Sequence, residues 1–292
     1  MNNKSIDLNC DSETGVLLEV VIGYPDNFHE DPDTVEIINQ TQARIYSTTE
    51  IPTAQNAIPE FANFKQILEE NGVTVHVPFA CNVPDQMTPR DIGFVIGNTF
   101  FLASMAKKSR QLEWHGIAHL FPKFKQFVEV PKNIFIEGGD VVVDKGMVFI
   151  GYGQRTSLEG AAWLQKQLAG SPYKVVPVPI KDVADGEDCL HLDCAFVPVG
   201  NNHALYYGPA FKHPIPEIEE NYKLIHVTQA EQFALATNVL SISPNIVISR
   251  DSAVRVNQVL SESGLTVITT KFDESPKTGG SFRCCSLPLI RK

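Results

Sequence analysis

At 292 residues, 43% hydrophobic and 20% charged, the chain has the make-up of an ordinary globular protein with enough length for a sizeable core. No apolar run reaches the length of a membrane span, and the opening MNNKSIDLNCDSE lacks a signal core, so neither a membrane protein nor a secreted one is expected. A net charge of −10 without a basic stripe argues against a nucleic-acid partner, and six cysteines without framework spacing read as thiols of a reducing compartment, by default the cytoplasm.

Taken in chain order, LLEVVIG near residue 17 reads as a first strand and VTVHVP, after Gly72, as a short one. From Asp91, DIGFVIGNTFFLAS reads as strand, tight turn, strand, which predicts a β-hairpin. The same pattern returns in DVVVDKGMVFIGYG from Asp140, in DCAFVPVGNNHALYYG from Asp193 and in TNVLSISPNIVIS from Thr237. Between hairpins lie helical patterns. TSLEGAAWLQKQLAG has Thr156 and Glu159 at capping-box spacing, Trp163, Leu164 and Leu168 on one face, and a stop at Gly170. DSAVRVNQVLSESG behaves in the same way and stops at Gly264. KVVPVPI and LTVITT follow these helices as strands, Pro214 and Pro216 mark a loop, and GGSFRCCSLPL supplies a last strand.

The hairpin starts lie roughly 45–50 residues apart, the period of a repeat architecture. Each unit is hairpin, helix, strand and cannot bury its own face, so about five of them should close on one another. No linker or composition break interrupts the series, which predicts one domain over residues 1–292. Closure would bring the residue that opens each unit to a common centre. Those openings carry Asp91, then Glu137 to Asp140 in EGGD, then His191 and Asp193 in CLHLD, and finally Cys284. Singly, each is commonly a turn or core residue. Together they are carboxylates, an imidazole and a thiol from separate units, the constituents of an activated cysteine nucleophile. Zinc is a weaker reading of CLHLDC: Cys189, His191 and Cys194 are potential ligands, but the paired knuckles of structural zinc sites are missing from the sequence.

The motifs PRDIGFVIGN, IEGGD, HLD and GGSFRC, in that order and over nearly the whole chain, resemble the guanidine-modifying superfamily of arginine deiminases, dimethylarginine dimethylaminohydrolases and glycine-type amidinotransferases. The resemblance implies a five-bladed pseudo-symmetric α/β propeller of ββαβ-type repeats. It also implies Cys284 as nucleophile, His191 as acid–base, and Glu137 as the acid that orients the histidine or holds the guanidinium. Asp91 and Asp193 match carboxylates that grip guanidinium nitrogens. Arg155, and less closely Arg110, match arginines that bind a substrate carboxylate, whereas Cys285 matches no catalytic position and should face away on the strand. The expected ligand is a small arginine-like guanidine, with no metal, no organic cofactor, no nucleic acid and no membrane, and with self-association left open. Hydrolysis of a covalent amidino intermediate is the leading expectation, amidino transfer to an amine the alternative, and arginine binding without turnover the third.

Overall fold

The computed structural model describes residues 5–29, 36–48, 50–187 and 189–292. Among these residues it contains five sheets of three strands each. The first unit runs from Leu17–Ile22 (β1) through two helices, Gln40–Tyr46 (α1) and Ala54–Glu70 (α2), to the short strand Thr74–His76 (β2), parallel to β1. The second contains Gly93–Ile96 (β3), Thr99–Leu102 (β4) and Phe127–Glu129 (β5). The third comprises Val141–Asp144 (β6), Met147–Tyr152 (β7), the helix Leu158–Gln167 (α3) and Lys174–Pro179 (β8). The fourth comprises Phe196–Val199 (β9), His203–Tyr206 (β10), the short helix Pro216–Glu219 (α4) and Lys223–His226 (β11). After the connecting helix Gln229–Phe233 (α5), the fifth has Leu240–Ser243 (β12), Ile246–Arg250 (β13), Val254–Glu262 (α6) and Thr266–Thr270 (β14). The last strand, Ser286–Arg291 (β15), returns to pair antiparallel with β1 and closes the ring.

Units two to five share one plan: an antiparallel hairpin whose second strand pairs in parallel with a third. A parallel return needs a crossover. In the third and fifth units α3 and α6 supply it, as the amphipathic patterns predict. The second unit instead crosses over through a 3₁₀ stretch, Glu113–Lys123, that contains Pro122; proline removes a backbone donor and breaks a longer helix. The fold is thus the expected five-bladed α/β propeller, with the helical element reduced in the second and fourth blades.

The core lies between blades. Phe94, Phe101, Val141, Val148 and Ile150 join the second blade to the third beneath α3, while Val21, Leu287, Leu289, Val95 and Phe100 join the first to the second. Strands buried on both faces read as continuous apolar runs such as the VVV of β6 and FVPV of β9, because a neighbouring blade or helix covers each side.

Two local expectations fail. The α3 cap is Ser157, whose side chain accepts from the Gly160 N–H; Thr156 is fully buried and accepts from the Glu137 N–H at 3.1 Å instead. Cys284 and Cys285 lie on the turn before β15, not on the strand. The two side chains still part company, but the turn separates them, not strand alternation. Cys285 packs with Phe64, Phe272 and Phe282, its sulfur 3.0 Å from the Ser275 hydroxyl.

Candidate active site

Short turns open the blades, and they meet one another. Pro89–Ile92 touches Gly138–Asp140, which touches Leu192–Cys194. The turn that carries Cys284 is tied to the same ring, since the Arg90 N–H donates to the Cys284 carbonyl at 3.1 Å. Glycine makes the approach feasible at two places. A Cβ on Gly139 would stand 2.6 Å from Asp91 Oδ1 and 2.8 Å from the His191 ring; one on Gly280 would stand 2.9 Å from the Cys284 Cβ. Any side chain there would wedge the site apart.

A small cleft opens on this ring, lined by Asp85, Thr88, Asp91, Arg110, Arg155, His191, Thr278 and Cys284, with Ile38 and Asn39 from the segment before α1. Five of the seven residues expected from the sequence therefore share one wall. Glu137 stands directly behind it, fully buried. Its Oε2 accepts from Arg155 Nη1 at 3.1 Å and bonds His191 Nε2 at 2.8 Å, and its Oε1 accepts from the Ala106 N–H at 3.0 Å. Burial pushes the Glu137 carboxyl up, but Arg155 and the His191 bond outweigh that and bring its pKa down to about 2. Burial works against the His191 imidazolium; Asp91, Asp140 and Glu137 together overcome it and hold its pKa at about 9. With Nε2 engaged by Glu137, Nδ1 is the ring atom facing the cleft. It and Asp91 Oδ1, 3.7 Å apart, are both buried without a hydrogen-bond partner.

The four blade-opening residues at equivalent positions do different things. Asp91 faces the cleft, and Arg110 grips its other oxygen at 2.7 Å. Asp140 is structural: its Oδ1 accepts from the Leu192 N–H at 2.9 Å, and burial pushes its pKa up to about 7. Asp193 sits behind the thiol, its Oδ2 2.7 Å from Arg283 Nη1 and 3.5 Å from Cys284 Sγ. Asn238, opening the fifth blade, accepts from the N–H groups of Ser281 (3.1 Å) and Cys284 (3.0 Å) through Oδ1 and donates to the Asp193 carbonyl at 3.3 Å.

Sequence reasoning missed Asn238, although TNVLS occupies the same repeat position as the three aspartates. It also missed Arg283, whose guanidinium is held by Glu13 and Asp193, and Asp85, which lines the cleft and accepts from the Met87 N–H at 2.6 Å. Arg110 is buried, with its fork on Glu113 and further bonds to Asp91 and Thr88. Arg155 is committed to Glu137 and the Ile38 carbonyl, leaving Nε unpaired.

The thiol of Cys284 is held well above the usual cysteine range by a side-chain bond with Cys194, by burial and by the nearby Asp193 carboxylate. Asp91, Glu137 and His191 could jointly face a metal ion, but Arg110 and Arg155 already neutralise the two carboxylates, an environment hostile to a dication. The cysteines of CLHLDC take no part in that group.

A five-bladed α/β propeller that brings a thiol, an imidazole and carboxylates from separate blades to one cleft is the architecture of the guanidine-modifying superfamily. A family profile described as "N,N dimethylarginine dimethylhydrolase, eukaryotic" matches residues 24–291. The chain belongs to this family, whose enzymes act on guanidino C–N bonds. It is 35% identical over 285 residues to the protein YkgA of Bacillus subtilis (strain 168), covering 97% of this chain and 95% of that one. Among solved structures, the product-bound N-terminal domain of ArgZ, an arginine dihydrolase of cyanobacteria, superposes with a TM-score of 0.81 at 25% identity, covering 94% of this chain and 98% of that one. The amidinotransferase SxtG of Microseira wollei shares the fold, with a TM-score of 0.79 at 20% identity over 98% of both chains.

Proposed function

We propose that the chain, residues 1–292 acting as one domain, is an arginine-type guanidine hydrolase of the cytoplasm that works through a covalent intermediate on Cys284. The observation that carries this reading is the convergence of the Cys284 thiol, the unpartnered His191 Nδ1 and the unpartnered Asp91 Oδ1 on one small cleft. A guanidinium is planar, cationic and rich in N–H donors, so a fixed carboxylate oxygen is its natural partner. Arg110 holds Asp91 in place, and Asp193 lies against the sulfur on the far side.

Cys194, burial and the Asp193 carboxylate favour the protonated thiol. A bound guanidinium places positive charge beside the sulfur and favours the thiolate, so the substrate switches on its own nucleophile. The thiolate attacks the guanidinium carbon. His191, an imidazolium at neutral pH and oriented by Glu137, gives a proton from Nδ1 to the departing nitrogen. The neutral ring then takes a proton from water, which attacks the Cys284-bound carbon and expels the thiolate. Arg155, which lines the cleft and keeps its Nε unpaired beside its bonds to Glu137 and Ile38, reads the carboxylate at the amino-acid end. The chemistry needs only thiol and imidazole, without metal or organic cofactor.

Both the matched family and ArgZ are hydrolases by description, which favours water over an amine as the second nucleophile. The test is product identity from arginine and from N,N-dimethylarginine, each with and without glycine. Citrulline with ammonia or dimethylamine, or ornithine after further hydrolysis, is expected without acceptor. Turnover only when the amine is present would replace hydrolysis by transfer, and no turnover with a guanidine still retained would favour a binding protein.

A further inference from the structure

One carboxylate holds two thiols. Cys284 Sγ lies 3.5 Å from Asp193 Oδ2, and Cys194 Sγ lies 3.7 Å from Asp193 Oδ1. Cys194 ends the turn Leu192–Cys194 and is fixed there, its N–H donating to the His191 carbonyl at 3.0 Å and its carbonyl accepting from Thr237 Oγ1 at 2.8 Å. Each thiol reaches a cleft: Cys284 the active site, Cys194 an adjoining one that shares Asn39, Leu190 and Gly279 with it. Cys285, the sequence neighbour, points into the phenylalanine core.

We propose that Cys194 and Cys284 form an oxidisable dithiol, a modification site at which the nucleophile is converted by a hydroperoxide to a disulfide with Cys194. The minor thiolate fraction of Cys284, replenished as it is consumed, attacks the peroxide, the O–O bond breaks, the leaving oxygen departs as alcohol or water, and a sulfenic acid remains on Cys284. Sulfur of Cys194 then attacks sulfur of Cys284. The S–O bond breaks, and hydroxide leaves as water with the proton from Cys194. The peroxide gains two electrons and the thiol pair loses them. Asp193, in contact with both sulfurs, is placed to take that proton in passing. The disulfide blocks the nucleophile but spares it from irreversible oxidation to sulfinic acid.

The test needs no substrate, so it stands apart from the hydrolase reading. Purified protein is treated with hydrogen peroxide near pH 8.5, alkylated without reduction, digested and mapped by mass spectrometry. The wild type is expected to yield a peptide pair joining Cys194 to Cys284, lighter by two hydrogens and reopened by dithiothreitol; Cys285→Ala should yield the same pair. In Cys194→Ala, Cys284 should gain two oxygens, and its thiol should be lost irreversibly on the order of tenfold faster than in the wild type. Wild-type Cys284 found as sulfinic acid, or joined to Cys285 or to another cysteine, would overturn the proposal even if Cys194→Ala does not fold.

Discussion

Replacing Glu137 by glutamine probes the electrostatics beneath the histidine most sharply. His191 stands at about 9 against an ordinary 6.5. At about 1.4 kcal/mol per pH unit, that is roughly 3 kcal/mol in favour of the imidazolium. Glutamine keeps the shape but removes one of three carboxylates, with burial still working against the charged ring. The His191 pKa should fall by about one to two pH units, the usual effect of losing one close opposite charge. Arg155 loses its ion partner at the same time, and breaking a buried pair from one side costs about 3–5 kcal/mol, which for a chain of this size lowers Tm by roughly 5–8 °C. The pH dependence has a definite sign. The raised His191 contributes stability that is complete below 6.5 and lost as pH rises through about 9; the lowered Glu137 contributes stability that is complete above 4.5 and lost as pH falls towards about 2. The wild type's advantage over Glu137→Gln should therefore peak between pH 4.5 and 6.5. NMR titration of the His191 ring and thermal unfolding across pH are the assays. A His191 pKa still near 9 in the variant, or a stability gap that widens from pH 6.5 to 9, would refute the reasoning.

Further substitutions separate roles that the sequence alone leaves joined. Cys284→Ser should abolish turnover while Cys285→Ser leaves most of it, as product assays would show; the reverse would move the nucleophile. Asn238→Ala strips two buried N–H groups of their acceptor at about 1–3 kcal/mol each. Urea unfolding should show a loss of about 2–6 kcal/mol, and unchanged stability would remove Asn238 as the support of the Cys284 turn. Arg155→Ala should raise KM for arginine far more than for agmatine, which has no carboxylate; equal losses would leave Arg155 as a partner of Glu137 only. Exhaustive chelation should leave turnover intact, whereas activity lost and then restored by zinc would revive the CLHLDC ligand set.

Much of the architecture was written in local pattern. Hairpins, Gly stops and parallel third strands recur with one period, and each unit's apolar faces need a neighbour, so ring closure follows from burial. The crossovers of the second and fourth blades were less legible, because proline-containing stretches carry no helical period. Recurrence also anticipated that Asp91, His191 and Cys284 would come together, and they line one cleft. It could not assign roles, since equivalent positions differ in what lies behind them. Asp193 backs onto Arg283, Asp140 onto the Leu192 amide, and Asn238 onto the turn that carries Cys284. Arg283 and Glu13 were invisible as a pair because 270 residues separate them. Thr156, which fits a helix cap by spacing, serves Glu137 because Ser157 is one residue closer to the helix.

The central claim is a covalent bond between Cys284 and the guanidino carbon of the substrate. Arginine carrying ¹³C at that carbon, mixed with enzyme and quenched in acid during turnover, should leave the labelled carbon on the peptide containing Cys284 and Cys285, with fragmentation placing it on Cys284. The adduct should decay as citrulline or ornithine appears without any added amine. Label on Cys285 or another residue, or labelled product formed at full rate with no adduct at any quench time, would contradict the account.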